Sequence, residues 1–262
     1  MKKLLFILFL GTLASCEEVI ELELENSEPR LVVEGTISEG ELATIQLTLT
    51  SDYFDDINPQ VVENATVSIT DVQLGQTEGL IHVGNGVYQG QTIVGQMSKE
   101  YRLEVRYNGV DYESITTMHP APEIGSVNFN QVSGGGVFIE SGLVTLIEFE
   151  SMSSNAYYSI VFESSTAEIP LGYNLEVAID SSKVSRFINP RVLVQEGDSL
   201  SIHVRSIDKS HYDYLIGMND LAGNNNQGGG ATPYNPVSRF EPEVLGYFYA
   251  YSQASIDTVA IP

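Results

Sequence analysis

Tyr101-Arg102-Leu103-Glu104-Val105-Arg106-Tyr107-Asn108-Gly109 is the stretch that decides the fold. Tyr101, Leu103, Val105 and Tyr107 alternate with Arg102, Glu104 and Arg106, so an extended chain turns an apolar face one way and a charged face the other. Wound as a helix, the same residues would mix both types around the axis. Asn108-Gly109 then offers two positions that tolerate positive φ, and Tyr112 stands just beyond them, which predicts a tight hairpin turn. A half-buried antiparallel sheet follows.

Working outward, the same grammar repeats at short intervals, as in sandwiches. Leu31-Val32-Val33-Glu34-Gly35 reads as a buried strand ending at the glycine. Ile45, Leu47 and Leu49 alternate with Thr44, Gln46, Thr48 and Thr50, and Ala65, Val67 and Ile69 with Thr66, Ser68 and Thr70. His119-Pro120-Ala121-Pro122 is the expected boundary, because two closely spaced prolines hold the chain extended. Beyond it, Ile147 and Phe149 mark a strand, Tyr158, Ile160 and Phe162 the next. Val192 and Val194, then Leu200, Ile202 and Val204, continue the series. One helix is expected to start near Ser210, with Asp213 three residues on in an imperfect capping-box spacing and Tyr212, Leu215, Ile216 and Met218 as its apolar face. Gly223 to Gly230 reads as a surface loop. Leu245-Gly246-Tyr247-Phe248-Tyr249-Ala250-Tyr251 reads as a final strand.

The expected fold class is therefore mainly β: two β-sandwich domains with one short helix in the C-terminal one. The N-terminal β-sandwich domain spans 29–118 and the C-terminal β-rich domain 119–262. Before them come a lipoprotein signal peptide at 1–15 and an acidic tether at 16–28, read as a spacer or a short first strand.

Lys2 and Lys3 open the leader, and Leu4 to Leu13 is apolar but far short of the ~20 residues that cross a bilayer. Leu13-Ala14-Ser15-Cys16 closes it as a lipobox, in which the Cys16 thiol is acylated and the chain cut before it. Cys16 is the only cysteine among 262 residues, so no disulfide forms within the chain. Several acyl chains make a durable anchor. The formal charge is −23, and more negative once Lys2 and Lys3 are removed. Such a surface repels phosphate backbones, which excludes nucleic-acid binding. It also repels anionic headgroups, so the membrane partner is reached through lipid on Cys16. Charged residues are only 18% of the chain, Trp is absent and Tyr numbers 14, a mixture suited to sheet and turns.

These blocks together resemble the Bacteroidetes outer-membrane lipoproteins of domain-of-unknown-function family 4249. The resemblance runs through Cys16-Glu17, Leu31 to Ile37, Tyr53-Phe54, Ala65 to Asp71, Gly86-Val87-Tyr88, Tyr101 to Val105 and Tyr112-Glu113-Ser114. It ends in Tyr212-Asp213-Tyr214, the glycine-rich loop and Leu245 to Phe248. The first domain also resembles the immunoglobulin- or transthyretin-like sandwich of carboxypeptidase-regulatory modules, which is non-catalytic. The resemblance implies an outer-membrane location and a gene commonly encoded beside that of a TonB-dependent transporter, and supplies no catalytic residues. Glu17 and Glu18 look like the export signal that turns such lipoproteins to the cell exterior; an inward orientation stays open.

The residues themselves offer little chemistry. His82, His119, His203 and His211 lack the close spacing of a zincin and read as surface histidines. No G-x-S-x-G elbow occurs, and Gly223 to Gly230 lacks a phosphate-loop lysine. No enzyme activity and no cofactor are expected. Asp52, Asp55 and Asp56 are the best metal candidates, as oxygens for calcium, against the plainer reading of a solvated acidic loop. Tyr247, Tyr249 and Tyr251 would share one face of a strand, as a ligand or partner face or as an aromatic half of the core. Asp198-Ser199-Leu200 and Asp257-Thr258-Val259 match a permissive O-glycosylation pattern. The leading expectation is an accessory that captures ligand for a TonB-dependent transporter. The alternative is a structural or adhesive β-sandwich lipoprotein without one, and a hydrolase stands third.

Overall fold

The computed structural model describes residues 28–51, 59–132, 141–152, 156–164, 166, 174–179, 183–187, 194–221 and 234–262. The signal peptide, the tether as far as residue 27 with Cys16, Glu17 and Glu18, the segment holding Asp52, Asp55 and Asp56, Val192, and the glycine-rich stretch lie outside them. In the described residues the first strands are β1 (Leu31–Ser38), β2 (Leu42–Leu49), β3 (Thr66–Asp71), β4 (Gln76–Gly79), β5 (Ile81–Gly84), β6 (Val87–Val94), β7 (Glu100–Tyr107) and β8 (Val110–Thr117). After the proline link come β9 (Glu123–Val132), β10 (Gly142–Glu150), β11 (Ala156–Ser164), β12 (Asn174–Ile179), β13 (Lys183–Phe187) and β14 (Ser199–Ile207). Helix α1 (Lys209–Leu221) and strand β15 (Leu245–Val259) complete the chain. Among the described residues the structure is mainly β, with three sheets and one short helix.

The deciding stretch forms β7. Tyr101, Leu103 and Val105 are fully buried, and pairing with β8 runs from Glu100↔Thr117 to Tyr107↔Val110. Asn108 and Gly109 take φ of 49° and 81°, the left-handed pair that lets a two-residue turn follow the twist of its strands. In the Gly86-Val87-Tyr88 block, Tyr88 is buried, accepting a hydrogen bond from Ala65 N (3.0 Å) and donating one to Val62 O (3.2 Å).

Sheet order is β12-β11-β14-β15-β1-β2-β6-β5 for the largest sheet, β4-β3-β7-β8 for the second and β13-β10-β9 for the third. Two hydrophobic cores result. The first joins Val33, Ile37, Ile45 and Leu47 to Val67, Ile69, Leu103 and Val105. The second joins Tyr158, Ile160, Ile202 and Val204 to Leu143, Ile147 and Phe149.

One strand serves both cores. The first half of β15 pairs parallel with β1, from Val32↔Leu245 to Ser38↔Tyr251; its second half pairs antiparallel with β14, from Ser206↔Ser252 to Ser199↔Val259. Phe248 and Ala250 enter the first core and Ile256 packs on the second, all from the same face of the strand. Gly246 makes the close approach to β1 possible: at φ +102°, a Cβ there would stand 2.0 Å from Val33 O.

Three expectations need correction. β1 does not end at Gly35 but runs on to Ser38; a Cβ at Gly35 would lie 2.7 Å from Ile45 Cδ1 and 3.0 Å from Phe248 Cδ2, so the glycine serves packing rather than termination. The last strand extends past Tyr251 to Val259, because β14 takes over as its partner. The helix begins at Lys209 with Asp208 as its cap: Asp208 Oδ1 accepts from His211 N at 2.8 Å and from Ser210 Oγ at 2.6 Å. Asp213 instead pairs with Lys209 Nζ one turn away, at 2.6 and 2.8 Å.

Candidate functional site

Tyr247, Tyr249 and Tyr251 do fall on one face of β15, opposite Phe248 and Ala250, because strand side chains alternate. Helix α1 lies over that face. The expected aliphatic contact is not what docks it, since Ile216 and Met218 are exposed while His211 and Gly217 are buried. The docking ridge is His211 and Tyr214, three apart and so neighbours on the helix surface. The His211 ring stacks on Tyr249 with centroids 3.5 Å apart and planes 7° from parallel, and it meets Tyr247 at 5.2 Å. Tyr214 meets Tyr247 edge-on at 5.2 Å, Tyr249 stacks on Tyr251 at 5.4 Å, and the Arg205 guanidinium sits 4.9 Å from the Tyr251 ring centre. The result is an aromatic file closed at one end by a cation.

Burial governs the protonation of this file. His211 is only 6% exposed, so it is not the surface histidine that the sequence suggested. Desolvation drives its pKa down to about 3, with Arg205 acting in the same sense and Asp208 against it. Its Nδ1 meets no hydrogen-bond partner among the described residues. Burial pushes the Tyr249 hydroxyl up to about 12, and Tyr247 is also raised, by burial and then by Glu34, which faces it across the β1 pairing. At neutral pH the His211, Tyr247 and Tyr249 rings are therefore uncharged.

Hydrogen bonds tie the helix cap and the shared strand to β8 and to the proline link. Thr116 Oγ1, on β8, donates to Asp208 Oδ2 at 2.5 Å and accepts from Ala250 N at 3.0 Å. Ser252, fully buried where β15 changes partner, donates its hydroxyl to His119 O at 2.6 Å and so holds the proline link. Helix cap, link and shared strand meet within a few residues.

Past Tyr251 the outer face of β15 is polar and uncovered by the helix. Arg205 Nε donates to Gln253 Oε1 (3.2 Å), His203 Nδ1 meets Ser255 Oγ (2.8 Å), and Ser201 Oγ donates to Asp257 Oδ1 (2.7 Å). A shallow groove of about 600 Å³ crosses this face beside Glu163, Ser199, Ser201, Asp257 and Thr258, which puts both Asp-(Ser/Thr)-apolar patterns on adjacent strands.

Among the described residues, no group of three or more His, Cys, Asp or Glu side chains is placed to hold a metal ion, and no helix is long and apolar enough to cross a membrane. The stacked His211 was the residue that sequence reasoning missed. Its signal was faint: a histidine three residues after an Asp and three before a Tyr, visible only once Asp208 is known to be the cap.

A family model described as "Domain of unknown function (DUF4249)" matches residues 17–257. No curated protein matches the sequence. Among solved structures, the chain is similar to the FN1-FN3 domains of chicken CNTN1, at 11% identity over 89% of this chain and 66% of that one. The TM-score is 0.29, an overlap too loose to carry any property across.

Proposed function

The chain belongs to the DUF4249 family, and from that premise we propose that it is a non-enzymatic, surface-anchored β-sandwich lipoprotein with a structural or adhesive role. Lipid on Cys16 would hold it at the outer membrane. The observation that carries the reading is β15: a single strand that contributes to two cores joins the sandwiches through sheet rather than through a loose linker. Such a joint suits a spacer that must keep a binding surface at a set distance from its anchor. The aromatic file, its rings engaged with one another, serves in this reading to stiffen that joint.

A second reading is an accessory that captures or gates the ligand of a TonB-dependent transporter. It is favoured by Glu17 and Glu18 directly behind Cys16, which would send the protein to the outer leaflet where such transporters open.

Affinity purification of the tagged protein from detergent-solubilised outer membranes, followed by mass spectrometry, separates the two. Reproducible recovery of the protein alone supports the structural or adhesive role; a stoichiometric transporter would replace it with the accessory role. Cys16→Ser should move the protein from the membrane to the soluble fraction, and continued membrane retention would refute the lipid anchor.

A further inference from the structure

We propose that the edge of β15 from Gln253 to Val259 is a strand-addition site that takes an extended, basic segment of another protein. The argument starts from backbone direction. Tyr251 O accepts Glu39 N at 3.0 Å on the β1 side, whereas Ala260 bonds the β14 side through Asp198 O (2.8 Å) and Gly197 N (2.9 Å). The β14–β15 register runs without a shift between these points. Donors and acceptors therefore alternate strictly, and Gln253, Ser255, Asp257 and Val259 direct their N–H and C=O groups away from β14.

On that side β1 has already left. It ends at Ser38, a turn closes with Glu41 N on Ser38 O (3.1 Å), and among the described residues no strand pairs with this edge of β15, the one opposite β14, beyond Tyr251. An open edge carrying neither proline nor lysine is a template for another strand. This edge has neither, and it has no bulge.

The core beneath gives an incoming strand apolar side chains to cover, as the border of either core would. Along this side Ile124, Val127, Phe129 and Ile256 are only partly buried, although all four pack on the second core. A strand continuing the lane of β1 would cover them with alternate side chains and bond the open backbone with the same stroke. That is the geometry of β-augmentation, in which main-chain bonds provide affinity and alternate side chains provide selectivity.

Charge selects the occupant. The chain carries −23 overall, and exposed Glu39 and Asp257 border this edge. A second copy would bring the same negative charge to the same edge, so self-pairing is disfavoured. A segment alternating apolar and polar residues, with lysine or arginine on its outer face, meets both the core and the field. The inference holds whether or not Cys16 carries lipid.

Selection of random heptapeptides displayed on phage against the purified full-length protein tests it, followed by titration of the enriched peptides as synthetic fluorescent probes. Enrichment of alternating, basic sequences is expected. Ser255→Pro, which deletes one outward N–H, should weaken them about tenfold, whereas Ser255→Ala, which keeps it, should bind like the parent. Asp257→Asn should weaken them about threefold while leaving the backbone edge intact. Peptides that bind Ser255→Pro as tightly as Ser255→Ala, or the absence of any alternating basic consensus, would overturn the proposal. So would a concentration-dependent dimer in sedimentation that Ser255→Pro abolishes, which would give the edge to a second copy instead.

Discussion

Along β15 one strand is treated in two ways. From Leu245 to Tyr251 it has β1 on one edge, the Thr116 hydroxyl on the other at Ala250, and helix α1 over its outer face. From Gln253 to Val259 it has β14 on one edge and an uncovered outer face, and no strand pairs with its other edge among the described residues. The sandwiches around the two halves differ in the same sense. In the first, Glu113 and Glu241 exchange backbone bonds of 2.9 and 2.8 Å, which covers the β8 edge. Glu78 reaches from β4 to β6 and accepts the N–H groups of Gln91 (3.2 Å), Thr92 (2.8 Å) and Ile93 (3.1 Å). The short edge strand β5 carries a register shift between His82 and Gly84, which spoils it as a template. Both cores carry partly buried apolar side chains at their borders, Leu49, Ala65, Tyr107 and Tyr112 in the first and Ile124, Val127, Phe129 and Ile256 in the second, so the difference lies in the backbone edges.

The sharpest break in that comparison is Gly246→Ala. Its Cβ would collide with Val33 O, and φ +102° is strained for any L side chain. A loss of roughly 3–5 kcal/mol is expected in denaturant unfolding, because the backbone itself must move to relieve it. If β15 couples the two cores, both should unfold together at lower denaturant; a second core that keeps its midpoint would show the halves to be independent.

Next in size is a pair of truncations on the same face of β15. Phe248→Ala in the closed first core should cost about 3–5 kcal/mol, and Ile256→Ala beside the open edge only about 1–2, since a half-exposed side chain has less transfer energy to lose. Equal costs would mean that the second core is as well covered as the first.

The helix-covered half has a pH signature. His211 holds its folded pKa near 3, below its unfolded value of 6.5, so the unfolded chain binds a proton first as pH falls. This contribution to stability is fully present above pH 6.5 and declines toward pH 3. Between pH 6.5 and 4.5 the wild type should lose roughly 2–3 kcal/mol relative to His211→Phe, read from chemical denaturation across pH. Parallel pH profiles for the two proteins would sink the assignment. At neutral pH the phenyl ring should match or modestly exceed the imidazole, because it stacks on Tyr249 without burying an unpaired nitrogen.

The smallest effect belongs to the Glu78 clamp. Burial alone would raise its pKa, but the Thr92 hydroxyl at 2.6 Å and the three backbone N–H groups outweigh that and hold it below the usual range. Glu78→Gln should cost about 1 kcal/mol at pH 7. Since a lowered carboxylate pKa stabilises only above its unfolded value, the difference should be full above pH 4.5 and fade in more acid solution. An undiminished difference at pH 3 would show that shape, not charge, makes the clamp.

The strands were legible wherever one face met a core and the other met water. Val67, Ile69, Leu103, Val105, Ile202 and Val204 all point inward as their alternation required, and Asn108-Gly109 turned as its φ tolerance required. Local sterics and the period of two decide these features, so a window of a few residues contains the answer. The Tyr247, Tyr249 and Tyr251 face was legible for the same reason. That a buried histidine would cap it was not, because burial depends on Asp208 being the helix cap and on the angle at which α1 meets β15. Nor did any local pattern announce that β15 would leave β1 at Tyr251 and continue along β14. Residues far apart in the chain, Ser38, Ser206 and Ser252, settle that changeover. The sequence by itself determined which side chains face inward, because alternation is a property of neighbours; only the tertiary structure decided which strands lie side by side, because pairing is a property of residues that meet after the chain has folded.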